Sequence, residues 1–128
     1  MKPMNIDLLD GIWRLEFEYQ MAVARPPLEA LIMLRHGVMA GLASAGVTVI
    51  GDISFRPNGT VEFQMIFDST LADPSILLIS RAGTAVRDKI QFTGVLNFDP
   101  QLRMLEGLFD HGVVPILTRG VFSGPLPG

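Results

Sequence analysis

Cysteine is absent from the 128 residues. That removes disulfide scaffolds, zinc ribbons and thiol catalysis together. Charge is scarce too: Asp, Glu, Lys and Arg make up 18% of the chain, against a usual ~25%. No two of the 10 Lys and Arg are adjacent, and the net charge is −3. Nucleic-acid affinity comes from clustered basic residues, so nucleic acid is excluded as a partner. Long apolar runs are also missing. "HGVMAGLASAGVTVIGDISF" (His36–Phe55) has no Asp, Glu, Lys or Arg before Asp52, yet it falls short of the ~18 residues of a spanning helix. Gly41 and Gly46 each lower helix propensity there by ~1 kcal/mol, so no membrane contact is expected. The opening "MKPMNIDLLDG" has Asp7 and Asp10 where a signal peptide would be apolar, and a cytoplasmic location is expected.

Catalytic signatures are absent as well. Ser44, Ser69 and Ser80 lack a nucleophile-elbow context. "GVMAGLASAG" has glycines at intervals, but no Gly-Lys-Ser/Thr follows to hold a phosphate. His36 and His111 both precede glycine, in "RHG" and "DHG". That pattern predicts turns with the rings facing water, since His tolerates positive φ better than most residues. No third ligand is evident for a metal and no marked nucleophile for a base. The chain is read as having no catalytic residues, no metal and no cofactor.

What is present is alternation. "GIWRLEFEYQM" sets Trp13, Leu15, Phe17, Tyr19 and Met21 against Arg14, Glu16, Glu18 and Gln20, the period of a strand with one wet face. "TVEFQMIFD" and "KIQFTGVLNFD" repeat the pattern, with Gly94 on the inner face, where a backbone approaches closely. "VTVIGDISF" forms another strand, preceded by a small-residue turn around Ala43 to Gly46. "SILLIS", "RMLEGLFD" and "VVPILTRGVF" complete the set. Pro115 cannot donate to a ladder, which predicts an edge or a bulge there. "PPLEALIMLRHG" suits a short helix by propensity, but strands flank it on both sides, so residues 27–36 are read as a strand with Leu28, Ala30, Ile32 and Leu34 inward. Pro57-Asn58-Gly59 makes a tight turn. About eight short strands and no long helix predict one all-β domain over 1–128, an antiparallel up-and-down barrel.

Gly11-x-Trp13 in the first strand and Arg119 in the last resemble the pair that closes one end of lipocalin-like barrels, a cation stacked on an indole. A longer resemblance runs through "DGIWRLEFEY", "ALIMLRHGVMAG" and "GDISFRPNGTVEF". These segments are similar to the GrlR-type negative regulators of bacterial type III secretion. The resemblance implies a small lipocalin-like barrel that forms a homodimer and sequesters a regulatory protein. Where that family carries an acidic contact loop, this chain has Arg56-Pro57-Asn58-Gly59.

Apolar residues make up 48% of the chain, more than one small domain hides, so a partner or ligand should cover the surplus. Two readings follow. In the first, Leu31, Met33, Ile66 and Ile116 lie outside and form a protein interface of a homodimeric, non-enzymatic regulator. In the second, Phe17, Phe63, Phe67, Phe92 and Phe98 line a hollow interior that carries an apolar small molecule.

Overall fold

The computed structural model describes residues 5–23 and 25–127. Ten strands form: β1 (Gly11–Tyr19), β2 (Leu28–Arg35), β3 (Val38–Ala43), β4 (Thr48–Phe55), β5 (Val61–Asp68), β6 (Leu78–Ile79), β7 (Ala85–Val86), β8 (Lys89–Asp99), β9 (Met104–His111) and β10 (Val114–Gly124). Eight of them close an antiparallel barrel in the order β1-β10-β9-β8-β5-β4-β3-β2. The circuit follows chain order except for the excursion between β5 and β8. Closure gives each of these eight strands a neighbour on both sides, the β8–β9 ladder being the shortest at Asn97–Asp99 with Met104–Glu106.

Period-two patterning explains most of this. In β1, Trp13, Leu15, Phe17 and Tyr19 are buried and the alternate charges are exposed. The stretch 27–36 is a strand: β2 buries Leu28, Ala30, Ile32 and Leu34 and pairs with both β1 and β3. Two neighbouring ladders outweigh a local helix preference worth tenths of a kcal/mol per residue. Strand β3 was hidden in the sequence by Ala40, Gly41 and Ala43, whose small side chains give a weak alternation. Only the turn after it was legible; it is a short 3₁₀ turn, Ser44–Gly46, with Ala45 at φ 57°.

One expectation needs correction. "SILLIS" adds no barrel stave. Only Leu78–Ile79 is extended, paired with β7 in a separate two-stranded sheet. The segment Ser69–Asp88 instead folds over one barrel end, held by Arg87 donating to the Thr70 and Ala72 carbonyls and by Val113 N–H donating to Arg81. At Pro115, β10 carries no bulge but is a local edge on its β1 side, as expected. Pro115 lies opposite Asp110, one rung past the end of β1, and its carbonyl accepts from Gln20 at 2.9 Å. The missing N–H falls where the β1 ladder has run out. The single shift in that ladder lies between Ile12 and Trp13.

Aromatic rings fill the barrel's middle. Phe92 meets Phe67 at 4.8 Å between centroids, Phe17 at 5.5 Å and Phe109 at 5.8 Å. Tyr19 and the His111 ring complete its surroundings. Gly94 faces inward as expected, and the reason is space. A Cβ there would lie 2.7 Å from the Phe109 Cβ and 3.1 Å from the Phe63 ring.

Truncating Phe92 to Ala should therefore cost ~3–5 kcal/mol, and Gly94→Val ~1–3 kcal/mol by overpacking. Leu102→Ala, on the exposed β8–β9 turn, should stay within about 0.5 kcal/mol. Urea midpoints at unchanged slope would measure all three.

Candidate functional site

The interior offers little room. Phe17, Phe63, Phe67 and Phe92 are buried as expected, but they pack on each other and on Phe109. Among the described residues, the cavity in the barrel's middle is about 10 Å³, lined by Leu15, Ile32, Phe63, Met65 and Thr118 among others, and a more open pocket of about 310 Å³ lies under the cap against Tyr19, Leu28, Leu78 and Ile79. Phe98 lines neither. It is half-buried near the opposite end, beside Phe55 at 5.7 Å.

One end is closed by a 3₁₀ turn, Ile6–Leu9, which buries Leu9. The Trp13 indole N–H donates to the Leu9 carbonyl at 2.7 Å, which satisfies the buried polar atom. Trp13 is anchored there as expected, but Arg119 does not reach it. Thr118 and Gly120 take the inward positions of β10, so parity turns Arg119 out, where it pairs with Glu106 at 3.5 Å. The cation at this end is Arg103, 4.2 Å over the Phe122 ring, and Phe122 meets Trp13 edge-on at 5.8 Å. The expected chemistry is present with different residues. Phe122 continues the inward parity of Ile116, Thr118 and Gly120, and the regular register of β10 on β1 sets it opposite Trp13, before the shift at Ile12.

The two histidines differ. His36 lies in the β2–β3 turn at φ 50°, exposed, as its His-Gly pattern predicts. Its ring Nδ1 is 2.8 Å from the Asp7 carboxylate, and its N–H donates to Asp10. Potential ligand atoms of Asp7, Asp10 and His36 lie within 4.8 Å of one another. So further ligands stand beside His36, supplied from far away in sequence. Asp7 raises the His36 pKa, chiefly through the hydrogen bond and then through its charge.

His111 overturns the expectation of a water-facing ring. It is 1% exposed and points into the capped end. Its Nε2–H donates to the Ile79 carbonyl at 2.8 Å, and the ring sits edge-on to Phe92 at 4.7 Å. It thereby ties the Ser69–Asp88 cap to the aromatic core. Its Nδ1 is buried without a partner among the described residues. Burial lowers its pKa, with the Ile79 contact acting the other way.

The outer surface of β2–β5 is the notable site. Leu31, Met33 and Ile66 are exposed there, as expected of an interface; Ile116 is buried, because β10 turns Ile116 and Thr118 inward together. Cross-strand register builds rows. One runs Met33, Ala40, Ile50, Ile66 across four strands, apolar throughout. Beside it lie Leu31 and Leu42, then Thr48. On the other side lie Arg35, Val38 and Asp52. Leu31, Met33, Val38, Leu42 and Ile50 each leave half or more of their surface in solvent. Val38, Leu42 and Ile50 escaped sequence reading because β3 did, and because neighbours across strands are not legible from one strand's pattern. Among the described residues, no helix is long and apolar enough to cross a membrane. No family model, curated protein or solved structure matches the chain.

The pH response of stability tests the His111 clasp. A lowered folded pKa means that the unfolded chain binds the proton more readily. His111's contribution is thus full above the unfolded value of ~6.5 and is lost as pH falls through it. His36, raised, contributes below that value and loses its contribution as pH rises through the higher folded pKa. The thermal midpoint of His111→Phe, relative to the parent, should therefore be more favourable at pH 5.5 than at pH 7.5. A gap that stays constant between the two would show that the ring does not titrate with folding.

Proposed function

We propose that the chain is a non-enzymatic binding module of the bacterial cytoplasm, a homodimer that regulates by protein contact through the outer face of β2–β5. The observation that carries this is the apolar row Met33–Ala40–Ile50–Ile66, flanked by Leu31, Leu42 and Val38. Monomeric surfaces rarely keep contiguous apolar patches beyond a few hundred Å². The scarcity of charge at 18% points the same way.

The filled interior favours this reading over a carrier. The cavity in the barrel's middle, about 10 Å³, is far below the ~300–1,000 Å³ of small-molecule sites, and the pocket of about 310 Å³ at the capped end is half open to solvent between Pro27, Leu28 and Ile76–Ile79. The likeness to GrlR-type regulators supports a regulatory role for a barrel of this shape. Their acidic contact loop is not matched: Arg56–Gly59 forms the tight β4–β5 turn, closed by Gly59 N–H donating to Arg56 and Arg56 N–H to Thr60. The regulated protein is therefore left undefined.

Light scattering at tens of micromolar should give the mass of a dimer. Ile50→Lys should give a folded monomer whose thermal midpoint falls only by the lost mass-action stabilisation of the dimer and no longer depends on protein concentration. A parent that scatters as a monomer would end the dimer reading.

A further inference from the structure

Three charges border the apolar face, Glu29 and Arg35 at the two ends of β2 and Asp52 on β4, and the last two are placed symmetrically about β3. Arg35 on β2 lies beside Val38 on β3, and Val38 lies beside Asp52 on β4. With strands ~4.8 Å apart, Arg35 and Asp52 stand ~10 Å from each other. Both are exposed, and neither takes part in an ion pair among the described residues. Rotation by 180° about an axis lying along β3 exchanges the two sides of the face. It brings Arg35 of one copy onto Asp52 of the other, twice per dimer. It also brings Met33 onto Ile50, and it sets Val38, Ala40 and Leu42 against their own copies. Rotation about an axis across the strands would instead bring Arg35 toward Leu31 and Asp52 toward Thr48, desolvating both charges unpaired.

We propose that two copies dock face to face along β3, with the two-fold axis parallel to the strands and Arg35 of each copy paired with the partner's Asp52. This deepens the dimer reading above and rests on it. A second copy fits because an isologous contact requires one patch to be complementary to itself, and the Arg35–Val38–Asp52 row is. Ala40 at the centre keeps the middle of the face low, so the side chains of Met33 and Ile50 flank the axis. Barrel curvature limits the contact. Each strand turns the surface by ~45° in an eight-stranded barrel, so β2, β3 and β4 face the partner while β1 and β5 turn away. Arg14 on β1 and Asp68 on β5, a further strand out on either side, are too far round to meet. Electrostatic complementarity of this kind fixes register and excludes wrong partners.

Native mass spectrometry of charge-reversed variants tests the register. Arg35→Asp and Asp52→Arg should each weaken the homodimer, raising its Kd about 10-fold or more. An equimolar mixture, with one variant labelled with nitrogen-15, should restore a dimer that is almost wholly mixed. In that mixture every facing pair is again opposite in sign. Arg14→Asp should leave the parent's dimer unchanged. A dimer that Ile50→Lys dissociates but Arg35→Asp does not would overturn this register and leave the dimer reading intact. The same holds if the mixed variants fail to pair, or if Arg14→Asp weakens the dimer as much as Arg35→Asp. A monomeric parent would overturn both.

Discussion

Phe92 packs against more of this molecule than any local pattern suggests. It touches Phe17 and Tyr19 on β1, Phe67 on β5, and Phe109 and His111 on β9. A closed barrel of eight strands has an interior just wide enough to be filled by side chains. Here the filling is aromatic, and the tilted and edge-on arrangements let large rings interlock without a sandwich. Gly94 and Phe109 show the constraint at work: one side chain is reduced to hydrogen so that a ring can occupy its place. The caps follow from the same centre. His111 contacts Phe92 on one side and holds Ile79 on the other, so the segment over that end is fastened to the core and does not hang free.

A solid interior and a closed sheet leave few ways to bind anything. Barrel closure removes the outer edges that a sheet of this size would otherwise offer for β-augmentation. What remains is side-chain contact on the outer surface, and that surface is uneven. The outward positions of β1 carry Arg14, Glu16 and Glu18, whereas those of β3 carry Val38, Ala40 and Leu42. One side of the barrel is a charged, solvated wall and the other an exposed apolar one.

Much of the fold was legible because a strand's period is two and its parity is visible in the letters. Trp13, Leu15, Phe17, Val61, Phe63, Met65, Phe67 and Phe92 all face inward as their spacing predicts. Parity also decided the cases that went wrong. Thr118 and Gly120 took the inner positions of β10, so Ile116 went in and Arg119 out. Small residues blurred β3, and a two-residue strand at Leu78–Ile79 was too short to distinguish from a barrel stave. His36 and His111 share a His-Gly signature yet end in opposite surroundings. Only the long-range contacts to Asp7 and to Ile79 separate them, and no local pattern encodes those.

The candidate face was legible only in part for a deeper reason. Parity within a strand says which residues point out; it does not say which outward residue of the next strand lies alongside. That depends on register, which turn lengths set: His36-Gly37 between β2 and β3, Ser44–Val47 between β3 and β4, Arg56–Thr60 between β4 and β5. Leu31, Met33 and Ile66 look like isolated apolar residues in the sequence. Register places Met33 and Ile66 in one row with Ala40 and Ile50, and sets Leu31 beside Leu42. The same register puts two charges level with Val38 at one border of the apolar rows, Arg35 to one side and Asp52 to the other, while Glu29 stands at the far end of β2. A one-residue change in any of these turns would flip a whole strand's outward set. The turn lengths that hold Phe67 and Ile53 in the core therefore also hold the outer face together.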